Sequence, residues 1–376
     1  MKYRTFGRLG WQISEIGFGA WAIGGTAWGK QSDVDSIRAL HKALDLGCNF
    51  IDTAQGYGEG HSEKIIGQVL KERKGERIYV ASKIPPKFPG TWPPTPYDKI
   101  EDRFSEAYLR ERIESSLRHL QTDCLDLLQL HTWTRAWNRN PTALEVLRAL
   151  QKEGKLRGIG ISTPEQDQNS LVDLMRGGWL DAVQVIYNIF EQEPAAELLP
   201  VAREHQVGVI VRVAFDEGSL TGKFTEQTKF GEGEFRANYF AGDRLGRTIR
   251  RVEKIAAVIG SAEPDLATAA LKFALKPSAV STVIPGMRSG HQAERNCGVS
   301  GQPPMSDELE LKLHGHAWQR GNWYKGKQRW PASHLAYGTT SFPLEKFARL
   351  FRLQPKPSRC WCCWILSLDV KCRVAT

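Results

Sequence analysis

The feature that most constrains this chain is an alternation. Short apolar, β-branched runs recur between amphipathic helical stripes over roughly 300 of its 376 residues. The strand candidates are IGFGAWAI (16–23), NFIDTA (49–54), RIYVASK (77–83), CLDLLQLH (124–131), LRGIGIS (156–162), DAVQVIYN (181–188), VGVIVRVA (207–214) and VSTVIPG (280–286). Several are nearly continuous apolar runs, as expected of parallel strands buried on both faces. Between them, Leu109, Ile113, Leu117 and Leu120 repeat at helical spacing, as do Ile37, Leu40 and Leu44. Such stripes read as core packing.

Eight strands, each followed by a helix or a long loop, match the rhythm of an α/β fold of the (β/α)8 TIM barrel type. A doubly wound open sheet shows the same alternation. The barrel is preferred because Asp52, Lys83, His131, Ser162 and Asn188 all fall at C-terminal strand ends. A barrel gathers those ends at one mouth, whereas an open sheet spreads them along an edge. KYRTFGRLGWQIS reads as an N-terminal hairpin that turns at GRLG and plugs the barrel floor. SDELELKLHGHAWQR (306–320) reads as an extra C-terminal helix, and residues 215–245 form a Gly-rich connection of a length that tends to be functional. The barrel body is placed at 1–325 and an irregular, basic tail at 326–376, where Cys360, Cys362, Cys363 and Cys372 cluster.

The net charge of +9 comes from Lys and Arg dispersed among acids, with no long basic block. That argues against nucleic acid and for a small anionic ligand. No run approaches the roughly 20 apolar residues of a membrane span. The opening MKYRTFGRLGWQIS lacks the apolar stretch of a signal peptide. Cys48, Cys124 and Cys297 are scattered singly, as in a reduced, cytoplasmic protein.

Two motifs mislead. GGTAWGKQ (24–31) fits the GxxxxGK phosphate loop, yet Gln31 stands where a Ser or Thr should hold Mg²⁺. HGH (314–316) and CWCC (360–363) have no partner pair at ligand spacing, so no metal site is expected. No GxGxxG follows a strand, so the usual dinucleotide fingerprint is missing.

Asp52, Tyr57, Lys83 and His131 come from the ends of the second, third and fourth strands, which a barrel brings together. A phenol has an ordinary pKa near 10, and a neighbouring ammonium is expected to lower it. A buried Lys83 needs a carboxylate to stay charged, and Asp52 is the candidate. His131 would orient a carbonyl oxygen or relay a proton. Such a group suits protonating a carbonyl oxygen as its carbon gains a hydride. Each residue alone has a plainer reading: a capping Asp, a surface Tyr, a strand-end Lys, a core His.

DTAQGYGEGHSEKIIG (52–67), SK (82–83) and LQLH (128–131) together resemble the aldo-keto reductase family, over roughly the first 325 residues and in the family's order. The resemblance implies a barrel that binds NADP(H) extended, without a Rossmann domain. It implies hydride transfer between nicotinamide and the carbonyl or alcohol carbon of an aldehyde, ketone or sugar. Tyr57 looks like the acid/base and Asp52 like the partner of Lys83. Ser162 and Gln184 resemble the carboxamide holders. Gly218, Ser219, Leu220 and Lys223, in DEGSLTGK, resemble the pyrophosphate loop. Gly286, Arg288, Ser289, Gln292 and Asn296, in IPGMRSGHQAERN, resemble the adenosine-phosphate segment. Arg288 and Ser289 would take the 2′-phosphate, which favours NADPH over NADH. Thr163, Arg212 and Arg295 depart from the commoner Asn, aromatic residue and Glu. Arg212 would stack on the nicotinamide by its guanidinium plane. The alternative function is a cofactor-sensing binding protein of the same fold. A third is an interaction protein acting through the tail. Trp21, Trp28, Tyr57, Trp92, Trp133 and Trp137 are expected near the mouth.

Overall fold

The computed structural model describes residues 1–318. The expected tail at 326–376, with its CWCC run, lies outside them. Two antiparallel strands, β1 (Tyr3–Phe6) and β2 (Trp11–Ser14), open the chain as the expected hairpin. Eight parallel strands follow: β3 (Phe18–Gly19), β4 (Phe50–Asp52), β5 (Tyr79–Ile84), β6 (Leu125–Leu130), β7 (Leu156–Ser162), β8 (Ala182–Ile186), β9 (Gly208–Arg212) and β10 (Thr282–Val283). They neighbour one another in chain order. The sheet then closes on itself. Gly17 donates to the Val283 carbonyl at 2.9 Å and Gly19 to that of Pro285 at 3.0 Å, with parallel bridges Ile16–Val283 and Gly19–Gly286. Closure removes the open-sheet reading.

All eight expected strands are present, and two are shorter than their apolar runs. IGFGAWAI yields only Phe18–Gly19, because Trp21–Ile23 winds into a 3₁₀ turn over the mouth. VSTVIPG yields Thr282–Val283, since Pro285 has no N–H to continue the ladder. The helical stripes are buried as read: Leu109, Ile113, Leu117 and Leu120 lie on the inner face of helix Glu106–Leu120. Ser32, Ser105, Asp265, Ser289 and Ser306 cap helix N-termini by accepting backbone N–H groups three residues on. The extra C-terminal helix is Asp307–His314.

The barrel interior is layered by the two-residue period of its strands. Phe50, Ala81, Leu127, Ala182 and Ile210 form an apolar layer with Phe6 and Ile13 of the hairpin. The hairpin therefore stops the floor, as expected. Gly7, at φ +49, touches Gly208: a Cβ there would lie 2.4 Å from the Gly208 nitrogen, so only glycine permits this closeness. Two residues further along the same strands stand Asp52, Lys83, Gln129, Gln184 and Arg212. The polar layer is thus the next inward step above the apolar one.

Candidate active site

Lys83 is the centre of that polar layer. Its ammonium is fully buried, donating to Asp52 Oδ1 at 2.5 Å, to the Thr53 carbonyl at 2.8 Å and to the Tyr57 hydroxyl at 3.2 Å. Asp52 Oδ2 accepts from Gln184 Nε2 at 2.7 Å and Gln129 Nε2 at 3.2 Å. Both oxygens of the carboxylate are in use. Burial, the largest influence on Lys83, works against its charge, yet Asp52 and Tyr57 together outweigh it and hold its pKa above the ordinary value. The lysine is charged because it has these partners.

Tyr57 follows from β4 through a tight loop. Gly58 sits at φ +65, and a Cβ on it would lie 1.5 Å from the Gly24 carbonyl oxygen. The glycine beside the tyrosine therefore serves loop packing against the residues after β3. Gly58→Ala is expected to destabilise the fold by about 1–3 kcal/mol, and to displace Tyr57. Thermal melting and turnover would both register it, and an unchanged melting temperature would sink the argument.

Lys83 lowers the Tyr57 pKa as expected, but the net shift is upward. Burial pushes the phenol up and outweighs Lys83, and Asp52 adds to the rise. The ring is only partly covered and faces the cavity; what dominates is the removal of water from around its hydroxyl. His131 has its edge toward Tyr57, with ring centroids 5.8 Å apart. Burial, then Lys83 and Arg212, hold it well below its ordinary value, so its imidazole is neutral. The next residue, Thr132, is buried at φ +119, a strained conformation for a β-branched side chain and a feature no sequence signal announced.

Asp52, Tyr57 and His131 line a cavity of about 690 Å³ on the C-terminal face of the barrel, and the buried Lys83 bonds to the first two. Trp21 stacks on Tyr57 at 6.0 Å, and Trp92 meets His131 edge-on at 5.1 Å. Trp28 and Phe235 extend this aromatic wall. Trp133 and Trp137 do not belong to it. They are 0% and 5% exposed, packed on each other at 5.1 Å, their indoles bonded to Asn138 and the Asp98 carbonyl. Aromatic residues after a strand carry no sign of whether they face the mouth or the core.

Against known families, the Aldo/keto reductase family matches residues 15–310. The chain belongs to that family. It is 35% identical over 241 residues to the aldo-keto reductase YhdN of Bacillus subtilis, covering 64% of this chain and 69% of that protein. It is 31% identical to an NADH-specific methylglyoxal reductase of Escherichia coli, over 79% of this chain and 92% of that one. Among solved structures, the glycerol dehydrogenase of Gluconobacter oxydans superposes with a TM-score of 0.68 at 27% identity, covering 84% and 94% of the two chains.

In this aldo/keto reductase, the remaining sequence-derived residues fall in two groups. Ser162, Gln184, Arg212, Gly218 and Lys223 line the cavity. Gly286, Arg288, Gln292 and Asn296 of the later segment line it as well. Ser219, Leu220 and Ser289 do not. Ser219 bonds Asp216 at 2.6 Å, Leu220 is fully buried, and Ser289 caps the helix Gly290–Gly298. Of the departures, Thr163 hydrogen-bonds Gln168 at 2.7 Å, and Arg295 pairs with Asp265 at 2.6 Å. Arg212 bonds the Thr163 carbonyl at 3.0 Å and Glu165 at 3.4 Å.

Three buried donors on the cavity wall, Trp28 Nε1, Arg212 Nε and the Thr132 hydroxyl, have no partner among the described residues. Buried donors are normally satisfied. The cleft therefore fits an acceptor-rich ligand, as nicotinamide cofactors are. Glu217, in the loop after β9, is 9% exposed and its carboxyl is pushed up to about 7, chiefly by burial, with Arg212 opposing. Gln129 and Glu217 were not singled out by sequence reading. For Gln129 the signal exists: it stands two residues after the floor residue Leu127, as Lys83 stands two after Ala81.

No described helix is long and apolar enough to cross a membrane.

Proposed function

We propose that this protein is an NADP(H)-dependent carbonyl reductase or alcohol dehydrogenase with Tyr57 as its general acid/base. The observation that carries the reading is the buried ammonium of Lys83, shared between the Asp52 carboxylate and the Tyr57 hydroxyl, both of which line a large cavity. A nicotinamide cofactor in the cleft would supply the hydride, two electrons and a proton's mass delivered to the carbonyl carbon.

The protein's own residues handle the oxygen. Tyr57 gives its hydroxyl proton to the carbonyl oxygen as the C=O pair moves onto it. Lys83, 3.2 Å away, stabilises the phenolate left behind. Asp52 keeps Lys83 charged and fixed. The neutral imidazole of His131 hydrogen-bonds the same oxygen and orients it. Ser162 and Gln184 would hold the carboxamide, with Arg212 on the ring. Gly218 and Lys223 would hold the pyrophosphate, and Gly286, Gln292 and Asn296 the adenosine. Support for a 2′-phosphate is electrostatic. Arg236 and Arg295 are paired with Glu234 and Asp265, whereas Arg288 has no carboxylate partner among the described residues.

The test is absorbance at 340 nm with NADPH and NADH against aldehydes, ketones and sugars. Oxidation of NADPH on a carbonyl substrate supports the reading, and tight cofactor binding with no turnover would instead favour the cofactor-sensing alternative.

The pH dependence follows from the two shifts. Because the phenol pKa is raised, Tyr57 stays protonated through neutral pH, and His131 stays neutral there because its own is lowered. Reduction is expected to be level from about pH 7 to about pH 10, the ordinary phenol value, and to fall only above it. Alcohol oxidation, which needs the phenol's proton removed, rises with pH. A reduction rate that fell between pH 7 and 8 would contradict this assignment.

A further inference from the structure

The loop GGTAWGKQ (24–31), which mimics a phosphate cradle in sequence, has a different role in the fold. A phosphate loop points backbone N–H groups at its ligand. Here the loop points carbonyls at a cation. Arg288 Nη1 donates to the Trp28 carbonyl at 3.0 Å and Nη2 to that of Lys30 at 2.5 Å. Its Nε donates to Gln31 Oε1 at 2.8 Å, and Gln31 Nε2 returns a bond to the Arg288 carbonyl at 2.9 Å. The two segments are 257 residues apart in sequence.

All three acceptors are neutral. A guanidinium carries five N–H donors, so these bonds fix its plane and leave one N–H on each η nitrogen. They bring it no counter-charge, and the nearby Glu234, itself paired with Arg236, favours that charge only in part. Burial, followed by the nearby Arg236, opposes that charge, and an anion would relieve the opposition. Arg236 lies 4.7 Å over the Trp28 ring, on the same loop. Arg288, His291 and Lys223 all line the cavity.

We propose that Gln31, with the Trp28 and Lys30 carbonyls, forms a collar that orients Arg288 toward a phosphomonoester, making Gln31 a determinant of preference for a 2′-phosphorylated cofactor. This rests on the cofactor reading above. Gln31 is a positioning residue: it acts through Arg288, and its removal affects a ligand only where that ligand meets the guanidinium.

The experiment is equilibrium titration of NADPH and of NADH, read by quenching of protein fluorescence, so no turnover is needed. In Gln31→Ala, the NADPH dissociation constant is expected to rise about tenfold, the worth of a hydrogen bond to a charged group. That for NADH stays within about twofold, a difference of a few tenths of a kcal/mol. Gln31→Glu, which holds Arg288 but neutralises it, is expected to weaken NADPH and spare NADH. Equal weakening of both cofactors by Gln31→Ala would reduce the collar to a structural role and overturn the proposal. So would unchanged or tighter NADPH binding, the latter showing that the loop competes with the phosphate. A wild-type protein that binds neither cofactor overturns the cofactor reading itself; one that binds both isolates the collar for judgement.

Discussion

Replacing Tyr57 by Phe is expected to lower the rate of carbonyl reduction by a factor on the order of 10² to 10⁴, the usual contribution of a positioned acid. The substitution removes one oxygen and leaves the ring. The stack on Trp21 at 6.0 Å and the approach of Lys83 Nζ to the ring at 4.9 Å do not need the hydroxyl. Fold and cofactor affinity therefore survive, and the loss falls on kcat more than on KM. Lys83 loses one of three acceptors but keeps Asp52 and the Thr53 carbonyl. Single-turnover oxidation of NADPH is the measurement, since it isolates the chemical step. A loss below tenfold would move the acid elsewhere, with His131 the nearest alternative.

Asp52→Asn has the largest expected effect on stability, a loss of about 3–5 kcal/mol, as when one partner of a buried ion pair is removed. An amide is nearly isosteric with the carboxylate, so the loss is electrostatic. Both carboxylate oxygens of Asp52 face donors. Lys83 donates to one oxygen of Asp52, while Gln129 and Gln184 donate to the other. An amide NH₂ therefore faces a donor whichever way it turns. Lys83, fully buried, is left charged without its counter-ion. Adding Lys83→Met to Asp52→Asn is expected to restore part of the lost stability, because it removes the ammonium that the first change exposed. Denaturant unfolding of the wild type, both single variants and the double variant gives the coupling directly. An Asp52→Asn loss under about 1 kcal/mol, the range of exposed pairs, would mean that water reaches the pair.

Much of this was legible from local pattern. The β-branched runs located every barrel strand, and the helical stripes are buried where their spacing put them. The hairpin and the helix Asp307–His314 followed from turn and cap residues. Asp52, Tyr57, Lys83 and His131 could be named because each lies at or just beyond a strand's C-terminal end, and a barrel turns that one-dimensional fact into proximity. The errors also have physical causes. Trp133 and Trp137 follow a strand as Trp21 does, but whether an aromatic ring faces the mouth or the core depends on neighbours dozens of residues away. Ser219 and Ser289 lie in the expected segments, yet their hydroxyls serve the loop and the helix cap.

Sequence alone determined the barrel and which polar residues gather at its mouth, because strand period, helix period and strand-end position are properties of short stretches of chain. Tertiary structure alone decided the state and setting of that group. The rise rather than fall of the Tyr57 pKa is a contest between one nearby ammonium and the removal of water by the whole surrounding wall. The saturation of Asp52 joins residues 77 and 132 positions apart, and the collar on Arg288 joins two loops 257 apart. Desolvation and long-range contact sum over everything that closes around a site, and no local stretch of sequence contains that sum.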